Sequence, residues 1–297
     1  MTETSSQHDW MAELLASNPE IGRLVWFTVN DGPVNQTQWL QAAVQAGLAV
    51  YGTPAGIPAT TAYLRGLRAL QQATPTRTLI RRVEQEHGRT VHHWIEETVS
   101  GGHVHFRVLA ALERRAKQDV LMTHPLDTLT AAESDALSRL PELVDTARHT
   151  YTPGDRRRQV RQWLAAVGAL QMAAAGPMQF VPDTATGLID ALTRAQDDLG
   201  VHVWSMPLQR SQDVVTTLTA SLDAEITKKT AALLKTVQTT REAGKTPTTG
   251  QQAKLVSQLH DLDSRVQRYA ELFGGQLDNL TMQLDIARKT VRSALEG

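Results

Sequence analysis

The sequence predicts an α+β protein in three consecutive parts: a small mixed N-terminal domain (1–125), a winged-helix-like middle module (126–210) and a C-terminal α-helical coiled-coil hairpin (211–297). Three observations carry this reading. Between Thr78 and Leu112 apolar and polar residues alternate with a period of two between glycine turns, as antiparallel strands require. Between Thr130 and Val181 three helical segments precede two short β-rich ones, the order of a winged helix. From Ser211 onward apolar residues recur first at helical and then at heptad spacing.

Each element follows from local chemistry. The stretch from Met1 to Gly22 is polar and acidic, without the basic and apolar regions of a signal peptide, so none is expected. Arg23 to Val29 is β-branched and aromatic and ends on Asn30-Asp31-Gly32-Pro33, a turn. Trp39, Leu40, Val44 and Leu48 then take helical spacing, and Leu64, Leu67 and Leu70 mark a second helix.

A three-stranded antiparallel meander follows, over about Leu79–Glu84, Thr90–Val99 and His103–Ala110, turning at His87-Gly88 and Gly101-Gly102. Paired glycines suit a two-residue primed turn, which puts Ser100 opposite His103, Thr98 opposite His105 and Glu96 opposite Arg107. Ile95, Val99, Val104, Phe106 and Val108 then share the apolar face, where His93 is expected as a hydrogen-bonded core histidine.

Thr130-Ala131-Ala132-Glu133 is a capping box, in which two side chains satisfy each other's free helix N–H groups. It opens a helix over Ala131–Leu140, and a second follows over Glu142–His149. The third, Asp155–Val167, has a core stripe of Val160, Trp163, Leu164 and Val167 and stops at Gly168. Leu170–Ala173 and Met178–Val181 form the wing, and a helix with Leu188, Ile189, Leu192 and Leu199 leads to a last strand, Val201–Met206. In the final third Val215, Leu218, Leu222, Ile226, Leu233 and Val237 mark one arm of a hairpin. The other arm runs through Leu255, Leu259, Leu262, Val266, Leu277, Leu280 and Leu284, a heptad seam weakened by Gly274-Gly275. Those seven residues are the expected oligomerisation surface, toward another copy or a partner protein.

Composition removes several functions. The chain has no Cys, which excludes disulfides, thiolate metal sites and Cys nucleophiles. Thirty Lys+Arg stand against 31 Asp+Glu, and no segment is strongly basic. No apolar run approaches the roughly 18 residues of a membrane span, so no membrane partner is expected and the cytoplasm is the expected compartment.

Local chemistry leaves two candidate sites. Arg156, Arg157, Arg158 and Arg161 crowd the start of the third helix, where cations oppose the macrodipole and a phosphate partner would relieve them. They are the candidate nucleic-acid-binding residues, and DNA the candidate ligand. His103 and His105 lie two apart on one strand, so both imidazoles reach one side, where Glu96 and His92 would complete a metal site. The competing reading is an exposed polar face on which Arg107 pairs with Glu96. Gly244-Lys245-Thr246 resembles the end of a phosphate-binding loop, but Thr239 stands where that loop needs its first glycine. No nucleophile elbow or dinucleotide fingerprint is present, so neither catalysis nor a cofactor is expected.

Several longer stretches resemble an uncharacterised family of proteins encoded by bacterial phages, plasmids and actinobacterial-type genomes. They are Leu24-Val25-Trp26-Phe27-Thr28-Val29-Asn30-Asp31, the run from Arg89 to Val99, the run from Val160 to Leu170, Phe180-Val181-Pro182 and the helical C-terminus. The wing, Ala173-Ala174-Ala175-Gly176, is less polar than those of related chains. The resemblance implies a mobile-element setting and no catalytic residue. The expected function is that of a non-enzymatic accessory protein that assembles through its helical arm and contacts DNA through the winged-helix-like module. A pure assembly subunit, and a metal-dependent enzyme using His103 and His105, stay open beside it.

Overall fold

The computed structural model describes residues 19–296 except 75, 87, 118, 173–175, 243–247 and 274–276. Gly244-Lys245-Thr246, Gly274-Gly275, His87, the wing tip 173–175 and the polar start of the chain lie outside the described residues.

The described residues open with β1 (Glu20–Val29), β2 (Val34–Asn35), α1 (Gln36–Gln45) and α2 (Ala59–Ala73). Four strands follow: β3 (Thr78–Glu86), β4 (Arg89–Ser100), β5 (His103–Arg115) and β6 (Val120–Pro125). Then come α3 (Ala131–Ser138), α4 (Leu140–Arg148), β7 (Thr150–Tyr151) and α5 (Pro153–Ala166). Next are β8 (Leu170–Gln171), β9 (Gln179–Pro182), α6 (Thr186–Arg194), α7 (Gln196–Leu199) and β10 (Val201–Gln209). The chain ends in α8 (Gln212–Glu242), α9 (Thr249–Phe273) and α10 (Asp278–Glu296).

Contacts divide the chain into two units, neither of them continuous in sequence. One comprises Asn30–Gln45 and Thr53–Arg158; the other comprises the chain up to Val29, Ala46–Gly52 and Gln159 onward. This differs from the expected consecutive division at 125/126 and 210/211. The reason is strand pairing across long sequence separations, which local pattern does not reveal.

In the first unit β3, β4, β5 and β6 form an antiparallel sheet in sequence order. The turn register is the expected one, with Ser100 opposite His103, Thr98 opposite His105 and Glu96 opposite Arg107. The meander gains a fourth strand, β6, paired with the second half of β5. The buried face is the opposite of the one expected. Trp94, Ala110 and Leu112 pack with Tyr63, Leu67 and Leu70 of α2, Ala136 and Leu137 of α3, and Leu140. Val99 and Phe106 are left 65% and 57% exposed. Trp94, Ala110 and Leu112 are fully buried there, so the buried side is the one that α2, α3 and α4 cover. Helices α2 and α4 approach closely at Gly66, where a Cβ would collide with Val144.

The second unit is built on a sheet of order β10-β1-β9-β8, antiparallel throughout. Its face carrying Val25, Val29, Val181, Val201 and Val203 is buried, with α6 and α7 against β10. On the other face Leu24, Leu170, Phe180 and Leu208 pack against α8, α9 and α10. The expected two-helix arm shows three helices among the described residues: α9 runs to Phe273 and α10 from Asp278, and α10 packs on both α8 and α9. Leu255, Leu259, Leu262, Val266, Leu277, Leu280 and Leu284 are all buried in this one chain's core. Assigning them to oligomerisation is corrected accordingly: their apolar faces are already covered by the chain itself. The strands expected as a wing are part of the sheet, with Leu24 of β1 opposite Phe180 of β9.

Candidate nucleic-acid interface

Helix α5 begins with a reciprocal cap. The Thr152 N–H and hydroxyl both donate to Asp155 Oδ2, at 2.9 and 2.8 Å, and the Asp155 N–H donates to Thr152 Oγ1 at 3.3 Å. Pro153 fills the first helical position, where a missing N–H costs nothing. Asp155 also holds Arg65 at 2.7 Å and pairs with Arg158. Burial opposes its charge, yet Arg65 and Thr152 outweigh that and leave its pKa below the usual carboxylate range.

The four candidate arginines therefore separate. Arg156 is 1% exposed, and its Nη2 donates to the carbonyls of Asn30 and Gly32, each at 2.8 Å. Burial, reinforced by neighbouring Arg157, lowers its pKa. Arg156 thus leaves the nucleic-acid set, because a guanidinium sealed against backbone carbonyls cannot meet a phosphate. Arg158 is exposed but engaged by Asp155. Arg157 and Arg161 are exposed.

Arg161 opens onto a groove of about 360 Å³ in the second unit, lined also by Gln171, Gln179, Glu225, Lys228, Lys229 and Arg265. An adjoining groove of about 370 Å³ shares Lys229 and Arg265 and adds Gly168, Asp261 and Arg268. Along both, the five cations Arg161, Lys228, Lys229, Arg265 and Arg268 face the two carboxylates Glu225 and Asp261. Glu225 is shared between Lys229 at 2.6 Å and Arg265 at 3.0 Å.

Part of this charge has structural work. The free carbonyls at the end of α5 are received by three side chains of α9: Arg265 donates to Ala169 O, Arg268 to Val167 O at 3.0 Å, and the Tyr269 hydroxyl to Gly168 O at 2.8 Å. Cations at the negative end of a helix are favourable, so the cap explains Arg265 and Arg268. Gly168 itself has φ +79° and sits under the Arg268 guanidinium, leaving no room for a Cβ. Burial raises the pKa of Tyr269, which keeps its proton for this bond. Arg161 and Lys228 have no such partner among the described residues. Lys228, Lys229 and Arg265 lie far from Arg161 in sequence; only packing of α8 and α9 beside α5 brings them to it.

The histidine cluster does not assemble. His103 and His105 are exposed at the end of β5, while Glu96 is held by Arg107 Nε at 2.9 Å. His92 is buried instead, its Nδ1 3.1 Å from the Tyr63 hydroxyl. The core histidine is thus His92 rather than His93, since His92 shares the buried side of β4 with Trp94. Among the described residues no group of three or more His, Asp or Glu side chains is arranged to hold a metal ion.

These features define a mixed α+β protein of two interleaved units, with antiparallel sheets and a C-terminal set of packed helices. The chain belongs to a family of unknown function, DUF6744, which it matches over residues 20–297. Neither a curated protein nor a solved structure matches it. Among the described residues no helix is long and apolar enough to cross a membrane.

Proposed function

We propose that the protein is a non-enzymatic accessory protein that holds a nucleic-acid phosphate backbone along the groove of Arg161, Lys228 and Lys229. The observation that carries this reading is an excess of cations over carboxylates in the groove, in which Arg161 and Lys228 have no hydrogen-bond or ion-pair partner among the described residues. Lysine and arginine along a groove release condensed counterions from a polyanion, and this supplies sequence-independent affinity. The mobile-element or phage setting rests on the family resemblance alone.

Anisotropy of a labelled oligonucleotide at low salt tests the reading. Binding should weaken steeply as salt rises, and Arg161→Glu with Lys228→Glu should abolish it. No binding at micromolar protein would refute the proposal.

A second reading, assembly between copies, is favoured by the exposed apolar end of the β4–β5 hairpin, Val99, Val104 and Phe106. Light scattering distinguishes it: an oligomer that Phe106→Ser returns to monomer supports assembly, and a monomeric wild type refutes it.

A further inference from the structure

Glu225 of α8 sits among the cations of the groove with both carboxylate oxygens engaged. Oε1 accepts from Lys229 Nζ at 2.6 Å, and Oε2 accepts from Arg265 Nη2 at 3.0 Å. The two partners differ in freedom. The Arg265 side chain is 10% exposed and the same Nη2 donates to Ala169 O, so this end of the bridge is fixed by the fold. The Lys229 side chain is 50% exposed. It lines both grooves described above and a third of about 360 Å³ with Leu233, Gln258 and Asp261. Glu225 and Lys229 are one helical turn apart in the favourable order, acid before base. Lys228, the next residue along, has no hydrogen-bond or ion-pair partner among the described residues.

We infer that Glu225 is a built-in competitor of the phosphate backbone: it occupies Lys229 in the free protein and yields it to a phosphate oxygen in the complex. The inference rests on the phosphate-groove reading and deepens it, by naming the residue that sets the groove's affinity. An ammonium is a point charge on a flexible stem and can change acceptors, whereas a guanidinium holds a carboxylate in a fixed geometry. Lys229 therefore exchanges Glu225 Oε1 for the backbone while Arg265 keeps Glu225 Oε2. The carboxylate stays in the groove, and its charge offsets part of what Lys229 gains. Lys228 brings a whole cation to the polyanion; Lys229 brings only the difference between two anionic partners. At low salt one further released counterion is worth about tenfold in affinity, so the distinction is measurable.

The test uses the full chain and anisotropy across a salt series, with a short labelled oligo-dT and a short labelled duplex as probes. Glu225→Gln removes the charge and keeps an oxygen for Arg265. It should bind about tenfold more tightly at low salt, with a salt slope steeper by about one. Asp261→Asn is the control. It takes the same charge from the adjoining groove, where Asp261 has no hydrogen-bond or ion-pair partner among the described residues, and should gain no more than about twofold. The two lysines give a second comparison at exposed positions, which decides the matter even if Glu225→Gln fails to fold. Lys228→Gln should weaken binding about tenfold and Lys229→Gln less than about threefold. In the Glu225→Gln background Lys229→Gln should cost as much as Lys228→Gln does, because the two sites are coupled. Equal gains from Glu225→Gln and Asp261→Asn would overturn the competitor and leave the groove reading intact. Equal losses from Lys228→Gln and Lys229→Gln in the wild-type background would do the same. Absence of binding to both probes, by wild type and every variant, would overturn both.

Discussion

At the scale of single residues, the buried His92–Tyr63 pair has one consistent proton arrangement. The Tyr63 hydroxyl donates to Leu112 O at 3.0 Å, so its oxygen receives the proton on His92 Nδ1. Burial, with a smaller contribution from Arg82, lowers the His92 pKa. Between the folded value and the ordinary one near 6.5, the unfolded chain binds more protons than the folded one. This contribution to stability is therefore complete above about pH 6.5 and is lost as pH falls through the folded value. Urea midpoints should drop between pH 7.5 and 5.5, and His92→Gln should flatten that slope. Tyr63→Phe should cost about 1–3 kcal/mol by leaving a buried carbonyl and N–H unpaired. Arg156 gives a contrasting pair of outcomes. Arg156→Ala should lower the urea midpoint by removing both carbonyl contacts, whereas Arg157→Ala should stay within about 0.5 kcal/mol of wild type, as an exposed position does. Four arginines within six positions look alike in sequence, and only their partners, the carbonyls of Asn30 and Gly32 for Arg156 and the Asp155 carboxylate for Arg158, tell them apart.

At the scale of elements, what was legible was what is local. The Thr130–Glu133 capping box forms as written, with Thr130 Oγ1 accepting from the Glu133 N–H and Glu133 accepting from the Thr130 N–H. Burial works against the Glu133 charge, but Thr130 and Arg107 prevail and its pKa is lowered. Thr130→Ala should cost about 1 kcal/mol in a denaturation experiment. The same grammar at Thr152-Pro153-Gly154-Asp155 passes for a chain break, because Pro-Gly masks a proline at the first helical position. The β4–β5 register was legible from Gly101-Gly102, because a two-residue turn leaves one pairing. Which face is buried was not, because it depends on helices placed elsewhere in the sequence. Arg107 shows the consequence: a residue read as part of a solvated face joins Glu96 to Glu133 of α3.

For the whole molecule, the decisive contacts are those of β1. It pairs with β9 and β10, more than 150 residues away in the chain, and so joins segments that a consecutive reading keeps apart. The heptad seam was visible, but a seam states only that a helix buries one side, not whose surface covers it. Here Ile21, Leu170 and Phe180 lie in the same core as Leu259, Tyr269 and Leu284. Removing the chain after Arg210 should therefore unfold or precipitate the sheet it leaves behind, seen as lost solubility and circular dichroism. Survival of a soluble, folded remainder would mean that the helices are a separable arm. Arg161 meets Lys228 and Lys229 only through this packing, so the groove was invisible to segment-by-segment charge counting. The central claim, that these cations hold a nucleic-acid backbone, is tested most directly by oligonucleotide anisotropy across a salt series with the Arg161→Glu/Lys228→Glu variant. The account predicts salt-sensitive binding that the variant loses without losing its fold. Equal binding by wild type and variant, or none by either, would contradict it.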